Sequence, residues 1–156
     1  LHQPAAIDLR LITSAIKINA ELERIGDQAV NISQNTIKLL KYPPVTELTI
    51  IPKMAEIVGR MVKDSIDAFI NKDVEIAKKV LMGDDEVDIL KKETLKKVIV
   101  LISEDSSKTE GFIDLLLISR NMEKIADHTT NISEDVICMV QGKDIRHHNI
   151  DDHRVQ

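Results

Sequence analysis

Glu23 with Asp27, Asp84 with Asp88, and Glu123 with Asp127 are carboxylate pairs that stand four residues apart in this chain. On an α-helix that spacing puts both side chains on one face, with Cβ atoms roughly 5–6 Å apart. Like charges so placed repel one another, and the repulsion is relieved by a cation. The chemistry on offer is therefore that of hard oxygen ligands. Mg²⁺, Ca²⁺, Mn²⁺ and ferric iron suit such a donor set, and zinc suits it less well without histidine or cysteine. His128, beside Asp127, offers one nitrogen, although a lone helical histidine is more often a surface or packing residue. Asn31 and Asn131, one turn beyond the acids, are candidates for ligands or for donors that orient them.

Other chemistries find less support. Paired carboxylates can serve general acid–base catalysis. No Gly-rich phosphate loop, nucleophile elbow or cysteine–histidine signature accompanies them, however. Di-iron carboxylate bundles use Glu-x-x-His, and none of the five histidines has a glutamate three residues before it. His147, His148 and His153 lie with Asp151 and Asp152 in a polar C-terminal stretch that reads as a solvated tail.

A solvated acidic face is the ordinary explanation of a single pair. Two features argue against it here. Glu23-x-Ile25-x-Asp27-x-x-x-Asn31-Ile32-Ser33 recurs as Glu123-x-Ile125-x-Asp127-x-x-x-Asn131-Ile132-Ser133, with six identities in eleven positions at an offset of 100 residues. Such self-similarity indicates a duplicated unit. In addition, Asp84 and Asp88 project within about 60° of Ala77, Leu81, Leu95, Ile99 and Ile102, so they interrupt an apolar stripe. Carboxylates turned towards packed neighbours are costly unless paired or metal-bound. Lys91 projects the same way, which makes a salt bridge to Asp84 or Asp88 the competing expectation.

The elements that must position these acids are helices. A first helix is expected from Pro4 to about Lys41, stopped by Tyr42-Pro43-Pro44. At 1.5 Å per residue it is roughly 55 Å long. A second starts near Pro52 and ends at Asn71-Lys72-Asp73, and a third, capped by Asp73, runs to about Ser103. Ser107-Lys108-Thr109-Glu110 has the form of a capping box opening a fourth, which Gly142 closes. In the first helix Ile7, Leu11, Ala15, Ile18, Leu22, Ile25, Ala29 and Ile32 form a seam. Leu9, Ile12, Ile16 and Ala20 form a second stripe, so this helix is expected to have neighbours on two sides. No alternating strand pattern occurs. The fold class is all-α, with long antiparallel helices in a bundle.

Composition narrows the function. A net charge of −5 argues against nucleic acid as a partner, since phosphate neutralisation needs a basic surface. Tyr42, Phe69 and Phe112 are the only aromatic residues, too few for a base-stacking platform. Apolar runs such as Val98 to Ile102 and Leu115 to Ile118 are too short to span a bilayer. The single cysteine, Cys138, cannot form an internal disulfide, which is compatible with a reducing cytoplasm.

Taken together, Glu23-Arg24-Ile25-Gly26-Asp27, Asp84-Asp85-Glu86-Val87-Asp88 and Glu123-Lys124-Ile125-Ala126-Asp127-His128 with Asn131-Ile132 resemble the E(D)-x-x-x-D signatures of the PhoU family. Gly142-Lys143-Asp144-Ile145-Arg146-His147 resembles the end of many of its members. The resemblance covers nearly the whole chain. It implies two tandem three-helix bundles whose acidic motifs bind multinuclear metal clusters of iron or zinc, with Mg²⁺ or Mn²⁺ as further candidates. It implies metal ligands at Glu23, Asp27, Asp84, Asp88, Glu123 and Asp127, with Asn31, Asn131 and His128 behind them. The function implied is that of a non-enzymatic adaptor at the cytoplasmic face of the membrane. There it would act with the phosphate ABC transporter's ATPase and a phosphate-sensing histidine kinase to keep the phosphate regulon repressed.

On that scheme residues 1–45 are the last helix of a first repeat, residues 48–142 a complete second repeat, and residues 143–156 a polar tail. The first bundle is then incomplete, and the start at Leu1 reads as a truncation that leaves apolar faces of helix one favouring self-association. A metal-free helical interaction module and a di-metal carboxylate enzyme are the alternative functions.

Overall fold

A computed structural model of the chain describes residues 4–42 and 49–142, with side chains from residue 8 onward. Pro43, Pro44, the polar tail and the Ile7 side chain lie outside the described residues. Four helices account for nearly all of it: α1 (Pro4–Leu39), α2 (Ile50–Asn71), α3 (Val74–Glu104) and α4 (Thr109–Gln141). Among the described residues there is no strand.

Local chemistry explains most of the boundaries. Asp73 caps α3, its carboxylate accepting from the N–H groups of Glu75 at 2.9 Å and Ile76 at 3.0 Å. Lys72, before it, turns the chain with φ of 54°, so α2 and α3 form a tight hairpin. Gly142 ends α4 in the left-handed region at φ 68°, where a side chain would be strained. The expected capping box does not form. Lys108 occupies the N-cap of α4 without a side-chain bond, and Asp105 instead caps a short 3₁₀ turn over Ser106–Lys108. Ser107 is spent on Asp105, to which both its N–H and its hydroxyl donate.

Helices α2, α3 and α4 pack mutually, whereas α1 lies along α4 alone among the described helices. Met54, Met61, Val87, Leu90, Met122 and Ala126 form one cluster of the core. Ala68, Ala77, Ile132 and Val136 form another, which Ile18 of α1 completes. Val98, Phe112 and Leu115 close the end nearest the 3₁₀ turn. Each large aliphatic side chain so buried contributes roughly 1.5–3 kcal/mol.

The seam of α1 is narrower than its sequence suggests, and it is half polar. Leu11, Ile18, Ile25, Ile32 and Leu39 face α4 at seven-residue steps, interleaved with Ser14, Glu21, Gln28, Asn35 and Tyr42. Leu22 and Ala29, expected in the seam, are exposed, as are Leu9, Ile12, Ile16 and Ala20. The pairing is antiparallel, since Lys17 meets Asp135, Glu21 meets Asn131 and Tyr42 meets Glu110. The two copies of the repeated motif therefore lie side by side at mid-length. Phe112, Met122, Ala126, Ser133 and Ile137 of α4 are buried, whereas their counterparts Ile12, Leu22, Gly26, Ser33 and Ile37 of α1 are exposed.

Candidate metal centre

The repeated motif divides its residues between two faces. Ile25, Ile32, Ile125 and Ile132 pack into the α1–α4 seam or the core beside it. The acids at 23, 27, 123 and 127 project roughly opposite that seam, as their offsets of two and five residues from the isoleucines require. On α4 that direction leads to the flank of α3. Glu123 and Asp127 there join Asp84 and Asp88, whose negative charges act on one another across the helix pair.

The carboxylates act on one another's ionisation. Burial, then Asp127, Asp88, Asp85 and Glu123, raise the Asp84 carboxyl from its ordinary 3.8 to about 6. Asp127 is raised as well, by burial first and then by Glu123 and Asp88, with His128 and Lys91 opposing. Lys91 does not take Asp84 or Asp88, as the sequence had allowed. Its ammonium donates to Glu123 on the neighbouring helix. Asp88 has a looser partner in Lys92, at 3.9 Å. Among the described residues no three acidic, histidine or cysteine side chains converge closely enough to hold an ion as they stand.

One measurable consequence concerns pH. Between about 4 and 6 native Asp84 keeps a proton that the unfolded chain has lost, so the group's contribution to stability falls as pH rises through this window. Above it the charged carboxylate is a constant liability. Asp84→Asn should therefore stabilise the metal-free protein at pH 7.5 by roughly 1 kcal/mol, solvent screening having reduced the effect on a half-exposed group. Urea unfolding at pH 4.5 and 7.5 checks this. The gain should be fully present at the higher pH and clearly smaller at the lower.

Other candidates are placed elsewhere. Glu23 and Asp27 are exposed on α1, and the position of Gly26 between them opens on empty space. Asn31 is exposed too. His128 and Asn131 face α1, not the acidic pairs. The imidazole Nδ1–H donates to Glu21 at 2.7 Å and the Asn131 amide donates to the same carboxylate oxygen at 3.1 Å. Arg24 donates to its other oxygen at 2.8 Å. Glu21, a nearly buried acid, is thus the hub of the α1–α4 seam, with Lys17 and Asp135 at 3.4 Å one turn away. Sequence reading passed over Glu21. Its signal was the seven-residue step through Ser14, Gln28 and Asn35, which puts polar groups inside an interface.

The donor set of α3 and α4 is chemically suited to a multivalent cation: four carboxylates on two adjoining helix faces, two of them, Asp84 and Asp127, held above their ordinary pKa by burial and by neighbouring acids. Such a chain is an all-helical bundle with an acidic, oxygen-rich helix pair.

Comparison with known proteins places it further. The family model described as "PhoU domain" matches residues 1–36 and 51–136, and the chain belongs to that family. It is 38% identical over 150 residues to the "Phosphate-specific transport system accessory protein PhoU homolog" of Aquifex aeolicus, covering 96% of this chain and 68% of that one. To the protein of the same description from Xylella fastidiosa strain 9a5c it is 33% identical, over 92% of this chain and 61% of the relative. The chain thus spans about three fifths of the length of that relative. Among solved structures, the crystal structure of PhoU from Pseudomonas aeruginosa superposes with a TM-score of 0.84 at 34% identity, covering 92% of this chain and 69% of that one. PhoU from Streptococcus pneumoniae gives 0.80 at 25% identity, over 88% of this chain and 65% of the other.

Proposed function

We propose that this chain is a metal-binding part of an accessory regulator of phosphate uptake. The observation that carries the reading is the gathering of Asp84, Asp88, Glu123 and Asp127 on the flank of α3 and α4, in a chain whose relatives are described as phosphate-specific transport accessory proteins. These four residues would hold the ions. A bound cation would neutralise the carboxylates and would tie α3 to α4. Iron or zinc are the metals the family suggests, and oxygen ligation suits Mg²⁺ or Mn²⁺ as well. Glu23 and Asp27, on the open face of α1, would be half of a second site, with α1 the last helix of a preceding repeat.

The adaptor role follows from the same reading. The chain would work without catalysis, as a homo-oligomer, at the cytoplasmic face of the membrane. Its partners would be the phosphate transporter's ATPase and a phosphate-sensing histidine kinase, and it would hold phosphate-starvation genes silent when phosphate is plentiful. Among the described residues no helix is long and apolar enough to cross a membrane.

The test combines metal content with gene expression. Gently purified protein should carry metal by elemental measurement, and Glu123→Ala with Asp127→Ala should lose it. The same double variant, in place of the native gene, should switch on phosphate-starvation genes in rich medium, and gene deletion should do the same. Metal-free native protein would favour an interaction module that uses its acidic face directly. An unchanged response on deletion would defeat the regulatory role.

A further inference from the structure

The flank of α3 and α4 already contains a cation of its own. Four carboxylates, Asp84, Asp88, Glu123 and Asp127, are gathered there, and Asp85 adds to the field on Asp84. Facing them are Lys91 and Lys92 of α3 and His128 of α4. His128 is committed to Glu21 on the other side of α4, and Lys92 reaches only Asp88, at the margin. Lys91 alone reaches across from α3 to α4, where it pairs with Glu123, whose side chain is only 19% exposed. The pair joins the two helices at the place where a bound ion would join them.

Resting on the reading of this flank as the metal site, we propose that Lys91 is a resident counter-cation that a metal must displace. The site then has two closed forms. In one the ammonium neutralises Glu123; in the other the ion does, and Lys91 swings out to solvent. Two positive charges competing for the same carboxylate cannot both lie within hydrogen-bonding distance of it without mutual repulsion. Lys91 stands one turn from Asp88 and two from Asp84, so its own helix face delivers it to the cluster. It thereby acts as a positioning residue. It keeps the acids in place without metal and sets how much free metal is needed to fill the site. A lysine suits this better than an arginine, because a point charge on a flexible stem leaves without breaking a bidentate fork.

The experiment measures Mn²⁺ and Zn²⁺ affinity at pH 7.5 for the full chain and for Lys91→Met, each first stripped with chelator. A second arm measures the acylation rate of Lys91 in the wild-type chain, with and without metal, by peptide mass spectrometry. Removing the competing charge should tighten metal binding about tenfold or more, and metal should speed Lys91 acylation severalfold. Lys91→Arg, which keeps the charge, should bind metal no tighter than wild type. If wild type binds metal while Lys91→Met binds it equally or less well, the exchange is overturned and the metal site stands. Unchanged acylation on loading overturns it likewise, and needs no variant that must fold. If neither wild type nor Lys91→Met takes up metal, the metal reading falls and the exchange falls with it.

Discussion

Replacing Glu21 by alanine should lower the stability of the folded chain by about 3 kcal/mol. The size follows from what the substitution leaves behind. Glu21 accepts from His128 at 2.7 Å, from Asn131 at 3.1 Å and from Arg24 at 2.8 Å, with its side chain only 11% exposed. Truncation strands the His128 imidazole, whose side chain is only 18% exposed, in the α1–α4 seam, where water is poorly placed to replace the lost carboxylate, whereas the exposed Asn131 amide turns to water. Breaking a buried pair from one side costs far more than replacing both partners with apolar groups. The double variant Glu21→Leu with His128→Leu should therefore recover most of the loss, since leucines suit a seam already lined at seven-residue steps by Ile18, Ile25 and Ile32. Urea unfolding followed by circular dichroism decides the matter. A loss below about 1 kcal/mol for Glu21→Ala would show that the polar layer contributes little to holding α1.

Ile132→Ala should cost about 4 kcal/mol, because the residue is 0% exposed and belongs to the core cluster of Ile18, Ala68, Ala77, Val136 and Ile137. Small neighbours such as Ala68 and Ala77 have no long side chains to swing into the gap, so the cavity should persist and the cost should lie high in the usual range. The informative comparison is Ile37→Ala on α1. Ile37 is 64% exposed, and its truncation in dilute solution should change stability by no more than about 0.5 kcal/mol. A cost at Ile37 approaching that at Ile132 would show that another surface covers the outer face of α1 in solution. The two substitutions delete similar side chains from similar helices, so their difference isolates burial.

Helical periodicity made the architecture legible before any coordinates. Caps such as Asp73 and Gly142 are local chemistry: a carboxylate two and three residues from bare N–H groups, and a residue without a Cβ where φ is positive. The capping box at Ser107 was misread because Asp105, just upstream, competes for the same hydroxyl, and a four-residue pattern does not see its neighbour. The exposed stripe of Leu9, Ile12 and Ile16 was legible as apolar but not as uncovered, since composition states what a face prefers and not whether a neighbour is present.

The acidic pairs set the same limit at the level of the site. Spacing alone determined that Glu123 faces the way Asp127 does and Asp84 the way Asp88 does, because a helix has a fixed rotation per residue. Tertiary structure alone decided that these two pairs meet each other while Glu23 and Asp27 remain exposed, because α4 has α3 beside it and the outer face of α1 has no described neighbour. It also decided that Lys91 answers Glu123 and not an acid of its own helix. Intrahelical geometry is written in the chain at 1.5 Å and about 100° per residue. Which helix lies across the groove, and at what height, depends on the packing of Ile18, Ala77, Val87 and Ile132 together, and no local pattern carries that information.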